Sequence, residues 1–199
     1  MMIMSKILQR IKGKGRGAIF APTDLLDLGS RASVDQALSR LADQGVIRRL
    51  TRGLYDYPKL STRFGTVYPS VDDVAKAIAR KDHHVLQVSP ATAANQLGLS
   101  TQVPSKTTYM TDGPSRTKTV GRQVIHFKNA SRKTLVGAGQ MSGAIFQALR
   151  YIGKDGVTDQ VISTLARALN DKDRDQLQKQ VRQVPAWMLP VVQQITARI

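Results

Sequence analysis

The sequence predicts an α/β (α+β) chain in two parts: a small N-terminal unit of alternating short helices and strands, then a larger mixed α/β part with a helical C-terminal tail. Three observations carry that reading. Up to Pro58 the apolar pattern switches between helical and strand periodicity, with glycine or a capping serine at the switches. Pro58, Gly65 and Pro69 then break the pattern, which places a boundary at 1–60 and 61–199. From Gly139 onward only helical periodicity remains.

The stretch MMIMSKILQR lacks the long apolar core of a signal peptide and is expected to form a first helix. Ser5 is its expected cap, and Ile7, Leu8 and Ile11 form its inner side. GKGRG (13–17) ends it, AIF continues as an extended piece, and Thr23 is expected to cap a brief helix, DLLDL, stopped by Gly29. Ser30 caps the next helix, RASVDQALSRLADQ, which Gly45 terminates. Val34, Leu38 and Leu41 recur there at i, i+4 and i+7 and face a core. Ser33, Gln36 and Arg40 fall on the opposite face, with Arg31 in the first turn. GVIRRL and GLYDYP alternate as the two strands of a hairpin. Gly53 tolerates the positive φ of its turn, Arg52 sits at the tip, and Arg48 and Arg49 lie on the leading strand. Tyr55 and Tyr57 share one side of the returning strand and are expected to pack against the third helix. Helix, short strand, helix, tight turn, helix, hairpin is the order of a winged helix-turn-helix, whose third helix can lie in the major groove of DNA.

A linker is expected over 58–69, PKLSTRFGTVYP. Ser70 and Asp73 then form a capping box before a helix with Val71, Val74, Ala75 and Ile78 as its stripe. HVLQV is a strand, and SPATAANQLG a helix with Pro90 in its first turn and Gly98 past its end. KTTYM, RTKTV and QVIHF are strands, the first two joined around DGPS. Helices are expected near 141–152, 158–169, 172–184 and 190–198, with Trp187 a core anchor.

Composition bounds the function. Hydrophobic residues make up 41% of the 199, enough for a folded core, and no apolar run approaches the ~20 residues needed to span a bilayer. No cysteine is present, so there is neither a disulfide framework nor a thiolate metal site, and a cytoplasmic location is expected. Thirty Lys and Arg face fourteen acids, all aspartates, for a net charge of +16. The excess is +6 over residues 1–60, +7 over 61–135 and only +3 over 136–199. Such an imbalance favours a polyanionic partner through counterion release and long-range attraction.

Enzymatic motifs are weak. GAGQMSG (137–143) lacks the spacing of a dinucleotide loop and the Lys-Ser/Thr of a P-loop, and is expected to be a flexible lead-in to a helix. DKDRD (171–175) opens like a calcium loop, but Gln176 and Arg182 stand where a glycine and a bidentate acid are needed. His83, His84 and His126 have no metal-ligand spacing, and Asp72 and Asp73 sit where helix capping explains them. No catalytic residue, metal or cofactor is assigned, and the chain is not expected to be an enzyme. The segment 115–133 is different: Arg116, Lys118, Arg122, Lys128, Arg132 and Lys133, with Phe127 among them, make a basic hairpin suited to nucleic acid or an acidic surface.

The stretch LGSRASVDQALSRLADQGVIRRLTRGLYDYP, Leu28 to Pro58, resembles the N-terminal winged helix of AbiEi-type antitoxins, from type IV toxin–antitoxin systems of abortive infection. The close resemblance covers roughly residues 5–59. It implies repression of the protein's own promoter and neutralisation of a nucleotidyltransferase-like toxin. Carried over by position, the DNA-binding groups are Arg31, Ser33, Gln36 and Arg40 on the helix and Arg48, Arg49 and Arg52 on the wing. Neutralisation falls to the C-terminal part, where the basic segment can meet the toxin or its nucleic-acid target. Two alternatives remain: a winged-helix regulator whose C-terminal half senses a ligand, and a nucleic-acid-modifying enzyme.

Overall fold

A computed structural model describes residues 3–63 and 65–197; the final residue of the expected tail helix, Arg198, lies outside them. The architecture is mixed α and β, with small sheets and a helical C-terminal region. It divides into two compact units, residues 1–83 with 119–123, and residues 84–118 with 124–199. The first unit thus runs past residue 60 and takes in the helix capped by Ser70.

The first unit begins with α1 (Ile3–Lys14), which buries Ile7 and Ile11. Its start at or before Ile3 places Ser5 inside the helix, so Ser5 is not its cap. After β1 (Ile19–Phe20) comes a 3-10 helix, Pro22–Leu28. Its cap differs from expectation. Pro22 occupies the first position, and Asp24, not Thr23, accepts the backbone N–H of Ala21 at 2.9 Å. Gly29 then runs fully extended, and a Cβ there would meet Cδ1 of Ile3 at 2.2 Å, so a side chain would push the end of Ile3 aside. Ser30 caps α2 (Arg31–Asp43), accepting the N–H of Ser33 at 3.3 Å. The stripe holds, since Val34, Ala37, Leu38 and Leu41 are all buried. Each large aliphatic side chain so placed stabilises the fold by about 1.5–3 kcal/mol.

Strands β2 (Arg48–Thr51) and β3 (Leu54–Asp56) form the expected hairpin, and β1 adds to it in the order β1-β3-β2. Tyr55 stacks on Phe20, ring centroids 6.3 Å apart, within the core made by α1, the 3-10 helix and α2. The expected linker is a second, two-stranded hairpin, β4 (Lys59–Ser61) and β5 (Gly65–Val67). The helix α3 (Val71–Lys81) is capped by Ser70: Asp73 N–H donates to Ser70 Oγ at 3.1 Å, and that hydroxyl donates to the Asp73 carboxylate at 2.6 Å, in place of the backbone bond that a full capping box would make.

The second unit contains β6 (Leu86–Val88), α4 (Pro90–Gln96), β7 (Thr107–Thr111), β8 (Arg116–Val120) and β9 (Gln123–Asn129), with the tip of the β8–β9 hairpin grouped with the first unit. The strand order is β6-β7-β9-β8. Although DGPS joins β7 to β8, the neighbour of β7 is β9, parallel, with Tyr109 opposite Phe127. Four helices follow: α5 (Met141–Ile152), α6 (Asp159–Arg167), α7 (Asp171–Gln180) and α8 (Met188–Ala197). Their core includes Ile145, Phe146, Leu149, Leu165, Leu177 and Met188. Trp187 is only partly buried at its edge, and Met188 is the full anchor.

GAGQMSG is a packed junction and not the flexible lead-in expected. A Cβ on Gly143 would lie 2.1 Å from the carbonyl oxygen of Gly137, and one on Gly137 would lie 2.7 Å from Ser142, Gln180 and Gly143 atoms. Ser142 Oγ donates to Gln180 Oε1 at 2.7 Å, and Gly139 N–H donates to Gln87 Oε1 at 3.1 Å. The glycines permit close approach of backbones here. No helix of the described residues is long and apolar enough to cross a membrane.

Candidate nucleic-acid interface

The outer face of α2 is set by its inner one. Burying 34, 37, 38 and 41 turns Arg31, Gln36 and Arg40 outward, and all three are exposed. Arg31 is partly engaged by its own helix: its Nε donates to Asp35 at 2.8 Å, an exposed i,i+4 pair. Exposed pairs of this kind contribute little, so the guanidinium can exchange Asp35 for another anion at small cost. Ser33 sits in the cap, its hydroxyl 2.9 Å from that of Ser30. Its contact is therefore with the helix start. Gln36 and Arg40, one helical turn apart, present an amide and a guanidinium to solvent.

The β2–β3 hairpin adds cations of two kinds. Gly53 turns it at φ +69°, and Arg52 beside it is exposed. The carbonyl of Arg52 accepts from Lys81 Nζ at 3.4 Å, bringing a further ammonium to the turn. Arg49, on the edge strand opposite Tyr55, is exposed as well. Arg48 differs. Its Nε donates to Asp56 Oδ1 at 3.0 Å, its Nη2 donates to Asp56 Oδ2 and to the carbonyl of Val67 at 3.1 Å, and the guanidinium lies 3.9 Å from the Tyr68 ring centroid. The hydrogen bonds that Arg48 donates to the Asp56 carboxylate hold its guanidinium above its ordinary value. Both partners are inward, with side-chain exposures of 20% and 1%. Arg48 is thus committed to joining the two hairpins and leaves the surface to Arg49 and Arg52. The pairing has a sequence signal: an arginine and an aspartate eight residues apart across a glycine turn fall opposite each other in a hairpin.

Between α2 and the two hairpins runs a groove of about 470 Å³ lined by Ser39, Asp43, Arg48, Arg49, Tyr55 and Thr66. One acid, Asp43, and two arginines, Arg48 and Arg49, line it.

The basic segment of the second unit splits. In β9, Phe127 is buried and Lys128 exposed, so the two point to opposite faces. Arg116 lies over Phe127, 5.4 Å from its centroid, and shares the Phe127 face; Lys118, two residues along β8, shares that face too. Phe127 belongs to the core and is not offered for base stacking. Arg122 stands in the hairpin turn, and Arg132 and Lys133 follow the sheet, exposed. The Lys133 carbonyl accepts from Arg150 at 2.9 Å, and Arg150 is pushed down from its ordinary value by burial. The six residues therefore do not make one face. Among the described residues no three His, Asp or Glu side chains gather.

These surfaces can engage phosphates and base edges through guanidinium and amide donors. No curated protein matches the sequence. Residues 6–177 match DUF6088, a family of unknown function, and the chain belongs to that family.

Proposed function

We propose that this protein is a cytoplasmic DNA-binding antitoxin that represses its own promoter. The observation that carries the reading is the outward pairing of Gln36 and Arg40 on α2 beside a glycine-turned hairpin tipped by Arg52. The order α1, β1, 3-10 helix, α2, β2, β3, with β1 against β3, supports a winged helix-turn-helix in which a 3-10 segment stands as the second helix. In that arrangement α2 enters the major groove and the β2–β3 turn, the wing, meets the backbone or an adjacent minor groove. The charge of +16, concentrated before residue 136, supports a polyanionic partner. The resemblance to AbiEi-type antitoxins supplies the second job, neutralising a nucleotidyltransferase-like toxin through the C-terminal part.

The test is binding to the promoter duplex and to a random duplex across a salt series. Arg40→Ala should lose about 1–3 kcal/mol of discrimination between the two. Arg52→Ala should weaken both equally and flatten the salt slope by about 1. Equal losses on both duplexes for Arg40→Ala would remove α2 from base reading. For neutralisation the measurement is survival of cells expressing the cognate toxin, rescued by the protein and by a folded variant with Arg116, Lys118, Lys128 and Arg132 reversed to acids. Full rescue by that variant would move neutralisation to another surface.

A further inference from the structure

A second concentration of cations lies at the other end of the three-stranded sheet. The chain leaves α1 through Gly15-Arg16-Gly17, with Gly15 at φ +83° and Gly17 at φ +91°, a bent path that side-chain-bearing residues rarely take. The bend is fixed by hydrogen bonds. Gly15 N–H donates to Lys12 O at 3.0 Å, Gly17 N–H to Tyr57 O at 2.6 Å, and Tyr57 N–H to Ala18 O at 2.9 Å. Arg16 is held twice: Nη1 donates to Pro58 O at 3.0 Å, and the guanidinium lies 4.8 Å from the Tyr57 centroid. Lys59 leaves the sheet beside this loop, its Cβ 4.0 Å from where a Cβ on Gly17 would stand. Lys12, Lys14, Arg16 and Lys59 are all exposed, and none has a carboxylate within 4.0 Å among the described residues. The neighbouring acid, Asp27, is taken by Arg10 at 2.8 Å.

Helix-end charge complementarity explains Lys12 and Lys14, which lie in the last turn of α1. It does not explain why the chain returns from β3 to set Lys59 beside Gly17, nor why Arg16 is held in place while exposed. Gathering like charges costs free energy, and a polyphosphate partner offsets it. The cluster is also separate from the β2–β3 turn, since Lys59 lies seven residues beyond Arg52 along the returning strand, up to ~23 Å away at strand spacing.

We propose that Lys12, Lys14, Arg16 and Lys59 form a second site for a nucleic-acid phosphate backbone, occupied independently of the α2 and β2–β3 surface. The proposal extends the DNA-binding reading but stands on different residues. Full-length protein, the triple variant Lys12→Gln, Lys14→Gln, Lys59→Gln, and the double variant Arg40→Ala, Arg52→Ala are titrated with a random duplex and with the promoter duplex across a salt series. Each is also asked to bridge a bead-held random duplex to a second, fluorescent one. The triple variant should flatten the slope of log K against log salt by about 2.7 and lose bridging, while the double variant keeps a residual salt-dependent binding. Lys59→Gln alone, at an exposed strand position, should flatten it by about 0.9, which guards against a folding defect in the triple variant. A wild-type slope in the triple variant, or bridging that survives in it, overturns the second site. Unchanged promoter preference in the double variant overturns the α2 reading instead and leaves the second site standing.

Discussion

Two arginine-rich hairpins in this protein put the same residue types to different uses. In β2–β3, consecutive arginines part company. Arg48 turns inward onto buried Asp56, while Arg49 on the edge strand stays in water. In β8–β9, Arg116 covers a core phenylalanine, and Lys128, beside that phenylalanine in sequence, faces the other way. The number of cations in a strand therefore says little about a surface. The two-residue period and the identity of the partner across the hairpin decide which charges act together.

The largest effect expected from breaking this comparison is at Arg48. Removing it leaves Asp56, with 1% of its side chain exposed, without its cation, and breaking such a pair costs about 3–5 kcal/mol. Arg48→Ala should lower the midpoint of urea unfolding accordingly, whereas Arg49→Ala should shift stability by less than about 0.5 kcal/mol and act on DNA affinity alone. A stable Arg48→Ala with reduced DNA binding would return Arg48 to the interface.

The two turns provide the next test. Gly53 and Gly121 both sit at positive φ, +69° and +59°, where a side chain costs roughly 1–2 kcal/mol. At Gly53 the nearest atom to a new Cβ is the mobile Lys81 Nζ at 3.6 Å; at Gly121 it is Tyr68 Cε1 at 3.3 Å. Tyr68 is the ring under Arg48, so Gly121→Ala should cost more than Gly53→Ala in thermal melts. Equal costs would mean that Tyr68 yields freely and contributes little to the Arg48 contact.

Local chemistry was legible in the sequence, and contacts between distant segments were not. Ser30, Ser70 and Ser89 cap their helices because a hydroxyl reaches an N–H three residues on, a relation visible in any short window. The α2 stripe and the β2–β3 turn were visible for the same reason. The β4–β5 hairpin was hidden because Leu60, Val67 and Tyr68 remain exposed, so no alternation marks it as half-buried. The parallel pairing of β7 with β9 skips a strand, and the closure of Gly137 on Gly143 depends on α7 packing nearby through Gln180. Of the candidate interface, the outward set Arg31, Gln36, Arg40, Arg49 and Arg52 followed from periodicity. The diversion of Arg48 and the meeting of Lys59 with the glycine loop needed the fold.

A smaller loss is expected at Arg116. Its contact with the Phe127 ring is partly shielded, and a cation–π pair of that kind contributes about 0.5–1 kcal/mol. Arg116→Ala should therefore be measurably less stable, and Arg116→Lys closer to wild type because an ammonium retains part of the attraction. If Arg116→Ala melts like wild type, Arg116 rejoins Lys118 as a purely external charge, and the contrast with Arg48 sharpens.

The smallest effect on stability, and the most informative for the second hairpin, is expected from Lys118 and Lys128. Both are exposed, so reversal to glutamate should change stability by less than about 0.5 kcal/mol. They project from opposite faces, Lys118 on the side of Arg116 and Phe127, Lys128 on the side of Val124 and His126. A single partner docking on one face meets one of them closely, and the other only through its long-range field, which salt at 0.15 M screens beyond about 8 Å. Rescue of toxin-expressing cells should therefore fail for one reversal and survive for the other, with both proteins equally folded by thermal melt. Loss of rescue in both would require a partner that wraps the hairpin edge, where β8 is the outermost strand in the order β6-β7-β9-β8 and carries its charges.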